Sequence, residues 1–185
     1  MTLFGDGLDA ALQKAFTRPA PKTAPAQMRY LVKQLKSTKA VAQTLSISQR
    51  TVESYVKNRI RKPRADLDAR LEREVLKRWQ PQVRARAKER AATTGGIVID
   101  TRARIGYTAP IGTTDDARLR HLTVALPPQY AARLFDAQQA GAAEQQLQQI
   151  AAEGLKEMYF QDGGRRAGSL EEVRFTDVEH LEFDL

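Results

Sequence analysis

The chain contains no cysteine among its 185 residues, and no apolar run approaches the about 20 residues that a membrane-spanning helix requires. The missing cysteine excludes disulfide bridges and cysteine-ligated zinc, and it is typical of a protein of the reducing cytoplasm. The first 16 residues form an amphipathic stretch without the apolar centre of a signal peptide. We therefore expect a cytoplasmic protein that has no membrane partner.

The motifs of common catalytic sites are also missing. The sequence has no phosphate-binding glycine loop and no nucleophile elbow. Its two histidines, His121 and His180, belong to no ligand-spaced cluster, so each is expected to be an ordinary side chain rather than a metal ligand or general base. The neighbouring carboxylates Asp115 and Asp116 could assist a metal ion, but such a pair is more typical of a turn. The sequence predicts no metal site, no cofactor of its own and no active site of its own.

Basic residues are concentrated in the first half of the chain. Residues 1–92 contain 21 Lys and Arg against 8 Asp and Glu, whereas residues 93–185 contain 9 against 14. The two halves therefore have net charges of +13 and −5, within a total of +8. Such asymmetry favours one surface that meets a polyanion and another that meets protein. The alternative is that the basic helices are simply solvated, but the charge favours a nucleic-acid face.

The hydrophobic pattern predicts an α+β fold in three parts. Residues 1–25 contain a helix and a linker that is stiffened by three prolines within seven residues. Residues 26–92 have helical periodicity, and Pro81 is expected to kink or restart the last long helix. Residues 93–185 change to strand-like alternation, followed by two helices and an acidic, strand-like tail. We expect an all-α N-terminal half and a smaller strand-helix-helix half.

Part of this second half resembles a ribbon-helix-helix fold. An alternating strand at 120–126 precedes Pro127 and two predicted helices at 128–139 and 142–160. In that fold two chains pair their strands and interlock their helices, so the resemblance implies a homodimer. A second DNA-reading ribbon and a small α+β core are the alternatives. The acidic charge of this half favours dimerisation over DNA reading.

Residues 38–57 fit a helix-turn-helix motif position by position. Apolar side chains occupy the positions that the two helices must bury against each other: Val41, Leu45, Ile47, Val52 and Tyr55. Ala42 stands where only a small residue lets the helices cross closely, and Ser48 can cap the second helix. Ser46 is the one departure, because glycine is usual at this left-handed turn position. Serine in place of glycine there costs about 1 kcal/mol or less of stability.

The second helix of this motif would enter the major groove of DNA. Its start presents the side chains that would lie near base edges: Ser48, Gln49, Arg50, Glu53 and Ser54. Five basic residues follow closely and suit contacts with phosphates: Lys57, Arg59, Arg61, Lys62 and Arg64. Phosphate contacts would dominate the affinity and make it fall steeply with salt. The alternative is a helical hairpin that packs inside the protein without contacting DNA.

The whole chain resembles the telomere terminal proteins of linear actinobacterial chromosomes and plasmids. The resemblance runs through the helical region at 26–62 and through the segment 106–120, GYTAPIGTTDDARLR. It implies a protein that is attached covalently to the 5′ ends of DNA and that primes DNA synthesis there with a threonine hydroxyl. The matching residue is Thr114, with its neighbour Thr113 as the alternate.

The same resemblance implies three partners: telomeric DNA with its 3′ overhang, a DNA polymerase and a telomere-associated accessory protein. We expect the protein to lie on the nucleoid at replicon ends. Phosphoryl transfer needs metal ions and charge stabilisation that this chain lacks, so the polymerase would supply the Mg²⁺ ions. The protein would then be a primer rather than an enzyme.

A priming hydroxyl must reach another protein's active site, so it belongs on a protruding loop. The polar segment 109–116 carries Gly112 and is predicted to join two strands. Without the resemblance, Thr113 and Thr114 would be an ordinary pair of loop residues. Two other functions use the same DNA-binding half: a helix-turn-helix transcriptional regulator, and a DNA-organising protein without sequence preference.

Overall fold

A computed structural model describes residues 3–108, 114–165 and 170–185 of the chain. These residues form eight α-helices and a three-stranded antiparallel sheet, so the predicted α+β class is confirmed. The helices are α1 Leu3–Lys14, α2 Ala24–Leu35, α3 Thr38–Leu45, α4 Gln49–Val56, α5 Ala65–Arg78, α6 Pro81–Arg90, α7 Pro128–Gln139 and α8 Glu144–Leu155. The strands are β1 Ile97–Thr108, β2 Thr114–Leu126 and β3 Glu172–Asp184. Short π-helical turns, Ala91–Gly95 and Lys156–Phe160, follow α6 and α8.

The chain divides into two compact units. The helical unit comprises Phe16–Pro81, and the sheet unit comprises Met1–Ala15 together with Gln82–Leu185. The sequence-based boundaries lie at 25/26 and 92/93, whereas the compact units meet at 15/16 and 81/82. The difference arises because α1 buries its apolar face in the core of the sheet unit, and because Ala87 of α6 and Ala91 after it belong to the same core. Helical periodicity predicts that face, but it does not identify the element that covers it.

The helical unit closes around a core built from α2 to α5. Its fully buried side chains are Met28, Leu31, Val41, Leu45, Val52, Leu71 and Val75. The predicted linker ends inside α2, where Pro25 occupies the first turn and its missing N–H leaves no bond unmade. Tyr30 donates a 2.6 Å hydrogen bond to the carbonyl of Arg78, and the Trp79 indole donates one of 2.9 Å to the carbonyl of Arg18. These bonds tie the proline-rich segment and the end of α5 to the unit.

The sheet unit is organised around β1, which lies between β2 and β3. Alternate residues of β1 are buried, as the sequence alternation predicts for a strand with one covered face: Ile97, Ile99, Thr101, Ala103 and Ile105. Helices α1, α7 and α8 contribute to the same core. Thr101 is polar, but its hydroxyl donates a 3.0 Å hydrogen bond to the carbonyl of His180. A side chain at Gly96 would meet the Leu126 carbonyl oxygen at 2.2 Å, so this position at the start of β1 requires glycine.

The predicted order of strand, proline, helix, glycine and helix is present as β2, Pro127, α7, Gly141 and α8. The predicted alternation of this strand is also present: Leu122 and Leu126 are buried and Val124 is half-buried, whereas His121, Thr123 and Ala125 are exposed. The strand pairing differs from a ribbon-helix-helix fold, however. β2 pairs with β1 of the same chain, from Thr108 opposite Thr114 to Ile97 opposite Leu126. β1 of the same chain therefore lies beside β2, in the place that the strand of a second chain occupies in a ribbon-helix-helix dimer.

Candidate nucleic-acid interface

Positive charge is concentrated in the helical unit. That unit contains 16 Lys and Arg against 5 Asp and Glu, whereas the sheet unit contains 14 against 17. The net charges are therefore +11 and −3, so basic residues gather in one folded unit. Between Asp9 and Asp66 the sequence has a single acidic residue, Glu53. A unit of this charge attracts polyanions.

Helices α3 and α4 are joined by a short turn whose serines satisfy the backbone at the helix ends. The Ser37 hydroxyl accepts hydrogen bonds from the first N–H groups of α3. Ser46 ends α3 in the left-handed conformation, at φ 51° and ψ 49°, as expected for a position where glycine is usual. The Ser48 hydroxyl accepts a 3.1 Å bond from the N–H of Thr51, so its predicted role as the cap of α4 is confirmed.

The buried side of α4 fixes which side chains it exposes. Val52 and Tyr55 lie in the core of the helical unit, as predicted. The remaining side of α4 and the residues after it surround an open cavity of about 430 Å³. Its lining consists of Gln49, Arg50, Glu53, Ser54, Lys57 and Arg59. These are six of the ten residues that the sequence assigns to DNA binding, and they form one continuous surface, which we call the α4 surface.

Two local hydrogen bonds set the electrostatics of the α4 surface. The Gln49 amide donates a 3.0 Å bond to the Glu53 carboxylate, one helical turn away. The Ser54 hydroxyl donates a 2.9 Å bond to the carbonyl of Arg50. Among the described residues, no acidic side chain pairs with the exposed Arg50 guanidinium. The α4 surface therefore carries the unneutralised guanidinium of Arg50 close to the carboxylate of Glu53, which already accepts a hydrogen bond from Gln49.

The end of α4 directs the basic segment away from the helix. Asn58 adopts a left-handed conformation at φ 57°, and the N–H of Arg59 donates a 2.9 Å bond back to the carbonyl of Ser54. Arg29 of α2 reinforces this ending by donating bonds to the Val56 carbonyl and to the Asn58 side chain, at 3.3 and 3.2 Å. Because the helix stops here, the chain continues into a short segment without regular structure.

This segment is basic and exposed. The five predicted phosphate-binding residues are all exposed side chains: Lys57, Arg59, Arg61, Lys62 and Arg64. Within the described ranges none of them forms an ion pair. Cations that the protein leaves unneutralised are available to a phosphate backbone, and we call this group the basic segment.

The second candidate site lies where β1 and β2 connect. Thr114 is the first residue of β2, and its Cα lies opposite that of Thr108 in β1. The prediction of a loop up to residue 116 is wrong at its end, because β2 begins at Thr114 and therefore includes Asp115 and Asp116. The alternate residue Thr113 falls in 109–113, outside the described residues. The structure therefore places the backbone of Thr114 at the base of the connection between the two strands.

The fold brings together three side chains that no spacing or motif in the sequence connects. His121 and His180, the two histidines of the chain, lie beside Asp100 on the exposed face of the sheet. Their Nε2 atoms are 3.3 and 3.6 Å from the same carboxylate oxygen, and Thr123 donates a 2.5 Å bond to the other oxygen. Only the strand register brings these residues together. Among the described residues, no group of three or more histidine or acidic side chains is arranged to hold a metal ion.

We expect Thr123→Val to raise the pKa of Asp100. The hydrogen bond from Thr123 holds the pKa of this carboxyl below its usual value, and His121 and His180 act in the same direction. A pKa that is lower in the folded protein means that ionised Asp100 stabilises the fold above its unfolded pKa, and that this stabilisation is lost as the pH falls. A carboxyl-carbon NMR titration measures the shift.

Thr176→Val is the control, because the Thr176 hydroxyl donates to the Arg104 carbonyl and not to Asp100. An equal shift of the Asp100 pKa in both variants would show that the Thr123 hydrogen bond is not its cause.

Comparison of this chain with protein-family models, with curated proteins and with solved structures gave no match. Within the described residues no helix is both long enough and apolar enough to cross a membrane. What the protein does is therefore inferred from the α4 surface, the basic segment and the connection between β1 and β2.

Proposed function

We propose that this protein is a telomere terminal protein, which binds the end of a linear DNA and supplies the Thr114 hydroxyl from which a polymerase starts synthesis. The observation that carries the proposal is that the two candidate sites lie in different units of the chain. One unit has net charge +11 and exposes the α4 surface with the basic segment. The other places Thr114 at the base of a strand connection. The resemblance of residues 26–62 and 106–120 to terminal proteins supports the same function.

On this proposal α3 and α4 form a helix-turn-helix, and α4 enters the major groove. Gln49 and Arg50 would then meet base edges, since Arg pairs well with guanine and Gln with adenine. Glu53 would accept a bond from the cytosine amino group and would repel a misplaced phosphate. The basic segment would hold the neighbouring phosphates and supply most of the affinity.

Arg50→Ala and Lys62→Ala should weaken DNA binding in different ways. Losing Arg50 should cost about 1–3 kcal/mol on the preferred sequence and relax specificity, because the side chain would read a base. Losing Lys62 should weaken binding to all sequences alike and lower the slope of log affinity against log salt by about one. Fluorescence anisotropy with specific and scrambled duplexes at several salt concentrations measures both effects.

The matched control is Arg73→Ala, which removes an exposed cation of α5 that belongs to neither the α4 surface nor the basic segment. We expect only a small, sequence-independent loss of affinity. If Arg50→Ala behaves like Arg73→Ala on every duplex, α4 does not read DNA.

The covalent step consumes one deoxynucleoside triphosphate. The Thr114 oxygen forms a bond to the α-phosphorus, the bond from that phosphorus to the β-phosphate oxygen breaks, and pyrophosphate leaves. The hydroxyl proton passes to a base at the polymerase site, where two Mg²⁺ ions stabilise the developing charge. The product is a threonine-linked nucleotide whose 3′-hydroxyl the polymerase can extend. The telomere-associated accessory protein would bring the complex to the 3′ overhang.

The direct test is to recover the protein from cells that contain the replicon whose ends it is proposed to cap. After nuclease digestion, mass spectrometry should find a residual nucleotide on the peptide that contains Thr114. Terminal restriction fragments should enter a gel only after protease treatment. An unmodified peptide, together with ends that migrate freely without protease, contradicts the proposal.

A helix-turn-helix transcriptional regulator is the second candidate function. It would use the same α4 surface, and the observation in its favour is a cavity of about 470 Å³ in the sheet unit, within the size range of ligand sites. A regulator would protect internal promoter sequences and leave Thr114 unmodified. Footprinting across the replicon, combined with the mass measurement, separates the two functions.

A further inference from the structure

We propose that the sheet unit has a site for single-stranded DNA at the end of the sheet where β1 and β2 connect. The site consists of a stacking cluster, formed by Tyr107, Tyr159, Phe160 and Arg120, and of the cavity beside it. Its biological role rests on the proposed function, because the bound strand would be the 3′ overhang. The binding itself can be tested independently of priming.

The stacking cluster is built around Phe160. The Tyr159 ring lies 5.0 Å from it at 89°, and the Tyr107 ring lies 5.8 Å from it at 62°. The Arg120 guanidinium lies 5.4 Å from the centre of the Phe160 ring. Aromatic rings combined with arginine are the chemistry on which unpaired bases stack, and this stacking accepts any base.

The exposure of Tyr159 sets the cluster apart from the core. Phe160 and Tyr107 are partly buried against the core of the sheet unit, but 44% of the Tyr159 residue is open to solvent. Tyr159 and Phe160 lie in the π-helical turn Lys156–Phe160 after α8. Such turns are rare and occur frequently at functional sites. The turn leaves a large ring open to solvent beside two partly buried rings, as a platform for a base requires.

The cavity adjoins the cluster because Tyr107 lines both. It measures about 470 Å³ and lies among β1, β2, β3 and α8, within the size range of ligand sites. Three glutamines contribute to its lining: Gln145, Gln148 and Gln149. Gln148 donates to the Phe175 carbonyl and Gln149 to Glu153, whereas the amide of Gln145 has no bond to any described residue. An amide carries both a donor and an acceptor, as the edge of an unpaired base does.

The charges in the cavity lining balance, and the sheet unit has a net charge of −3, so stacking rather than attraction of phosphates would supply the affinity for the strand. Arg174 lines the cavity and donates a 3.2 Å bond to the Thr108 hydroxyl, while its Nε lies 3.5 Å from the carboxylate of Glu172. Arg174 therefore offsets the one carboxylate in the lining. Thr108 is the residue opposite Thr114, so this wall of the cavity reaches the base of the strand connection.

The site favours a single strand over a duplex because bases inside a duplex are already stacked on each other. Duplex DNA would occupy the α4 surface, and an unpaired end would occupy the stacking cluster near Thr114. One chain could then hold both parts of a replicon end: the paired part and the overhang.

The test uses the full chain and a fluorescent single-stranded oligonucleotide of about 12 nucleotides, within the usual site size for such proteins. Tyr159→Ala should reduce the single-strand affinity by about 5- to 150-fold, the range expected for one lost base–aromatic stack. Duplex affinity should stay at the wild-type value. Tyr159→Phe should restore single-strand binding, because phenylalanine keeps the ring. A bromodeoxyuridine oligonucleotide should photo-cross-link to the peptide that contains Tyr159.

Leu119→Ala is the matched control, since Leu119 is a large apolar residue of the same unit and is 43% exposed. If Tyr159→Ala and Leu119→Ala bind the single strand equally well, the site does not exist. Equal losses of single-strand and duplex affinity in Tyr159→Ala would also overturn it, because they indicate general damage. If Thr114 is labelled with nucleotide but Tyr159→Ala binds the single strand normally, the primer proposal stands and the single-strand site does not exist. If Tyr159→Ala loses single-strand binding but Thr114 is not labelled, the single-strand site is supported and the primer proposal is contradicted.

Discussion

Thr114→Ala should abolish the transfer of labelled deoxynucleotide to the protein and leave duplex binding unchanged. The substitution removes the only atom of this residue that can attack the α-phosphorus. The loss should therefore be complete, since general base and metal ions cannot act without a nucleophile. The assay contains the protein, labelled deoxynucleotide, a polymerase, the accessory protein and a telomeric template. Labelled protein is separated by denaturing electrophoresis and counted, and anisotropy on duplex DNA is measured in parallel.

Two neighbouring substitutions make this experiment specific. Thr114→Ser should retain part of the labelling, because serine keeps a hydroxyl. Thr113→Ala should retain nearly all of it. Loss of labelling only in Thr113→Ala would move the priming residue by one position. Labelling that survives in both alanine variants would remove this segment as the primer.

The features that sequence predicted best are those set by neighbouring residues. Ser46 and Ser48 were identifiable because capping and left-handed turns depend on residues within one helical turn. The α4 surface follows from the same local geometry: once Val52 and Tyr55 are buried, the helical period determines the exposed side. Helix periodicity therefore predicts the location of a surface, but the ligand of that surface needs further argument.

The features that sequence missed depend on long-range register. Asp100, His121 and His180 meet because β1 aligns with both β2 and β3, and no spacing in the chain encodes that alignment. The stacking cluster depends on a π-helical turn after α8, whereas helical periodicity predicts one uninterrupted helix over 142–160. The resemblance to a ribbon-helix-helix fold identified the order of elements correctly, but a strand pattern does not specify whether its partner belongs to the same chain.

Leu8→Ala should destabilise the sheet unit by about 2–5 kcal/mol, the usual cost of truncating a fully buried leucine. Leu8 is completely inaccessible to solvent and lies in the core of the sheet unit. Its helix neighbour Phe4 contacts Phe175 edge to face, with ring centres 5.6 Å apart. Truncating Leu8 therefore removes buried apolar contacts and leaves a cavity in the core of the sheet unit.

Two spectroscopic signals separate the units in this experiment. The single tryptophan of the chain, Trp79, lies in the helical unit, so its fluorescence reports that unit alone. Far-ultraviolet circular dichroism reports both units. In Leu8→Ala the circular-dichroism transition should move to lower denaturant while the tryptophan transition stays in place. Leu3→Ala, in the same helix at 42% exposure, is the control and should change stability by at most about 0.5 kcal/mol.

The burial of α1 in the sheet unit also determines how fragments of the chain should behave. The chain leaves the sheet unit after Ala15 and returns to it at Gln82, so the helical unit is inserted between α1 and α6. A fragment of residues 93–185 lacks the buried side chains of α1 and should be unfolded or aggregated. Residues 82–185 mixed with a synthetic peptide of residues 1–15 should regain strand structure, and a peptide carrying Leu8→Asp should not restore it. A folded 93–185 fragment, or equal stability of Leu8→Ala and Leu3→Ala, would show that α1 is dispensable to this core.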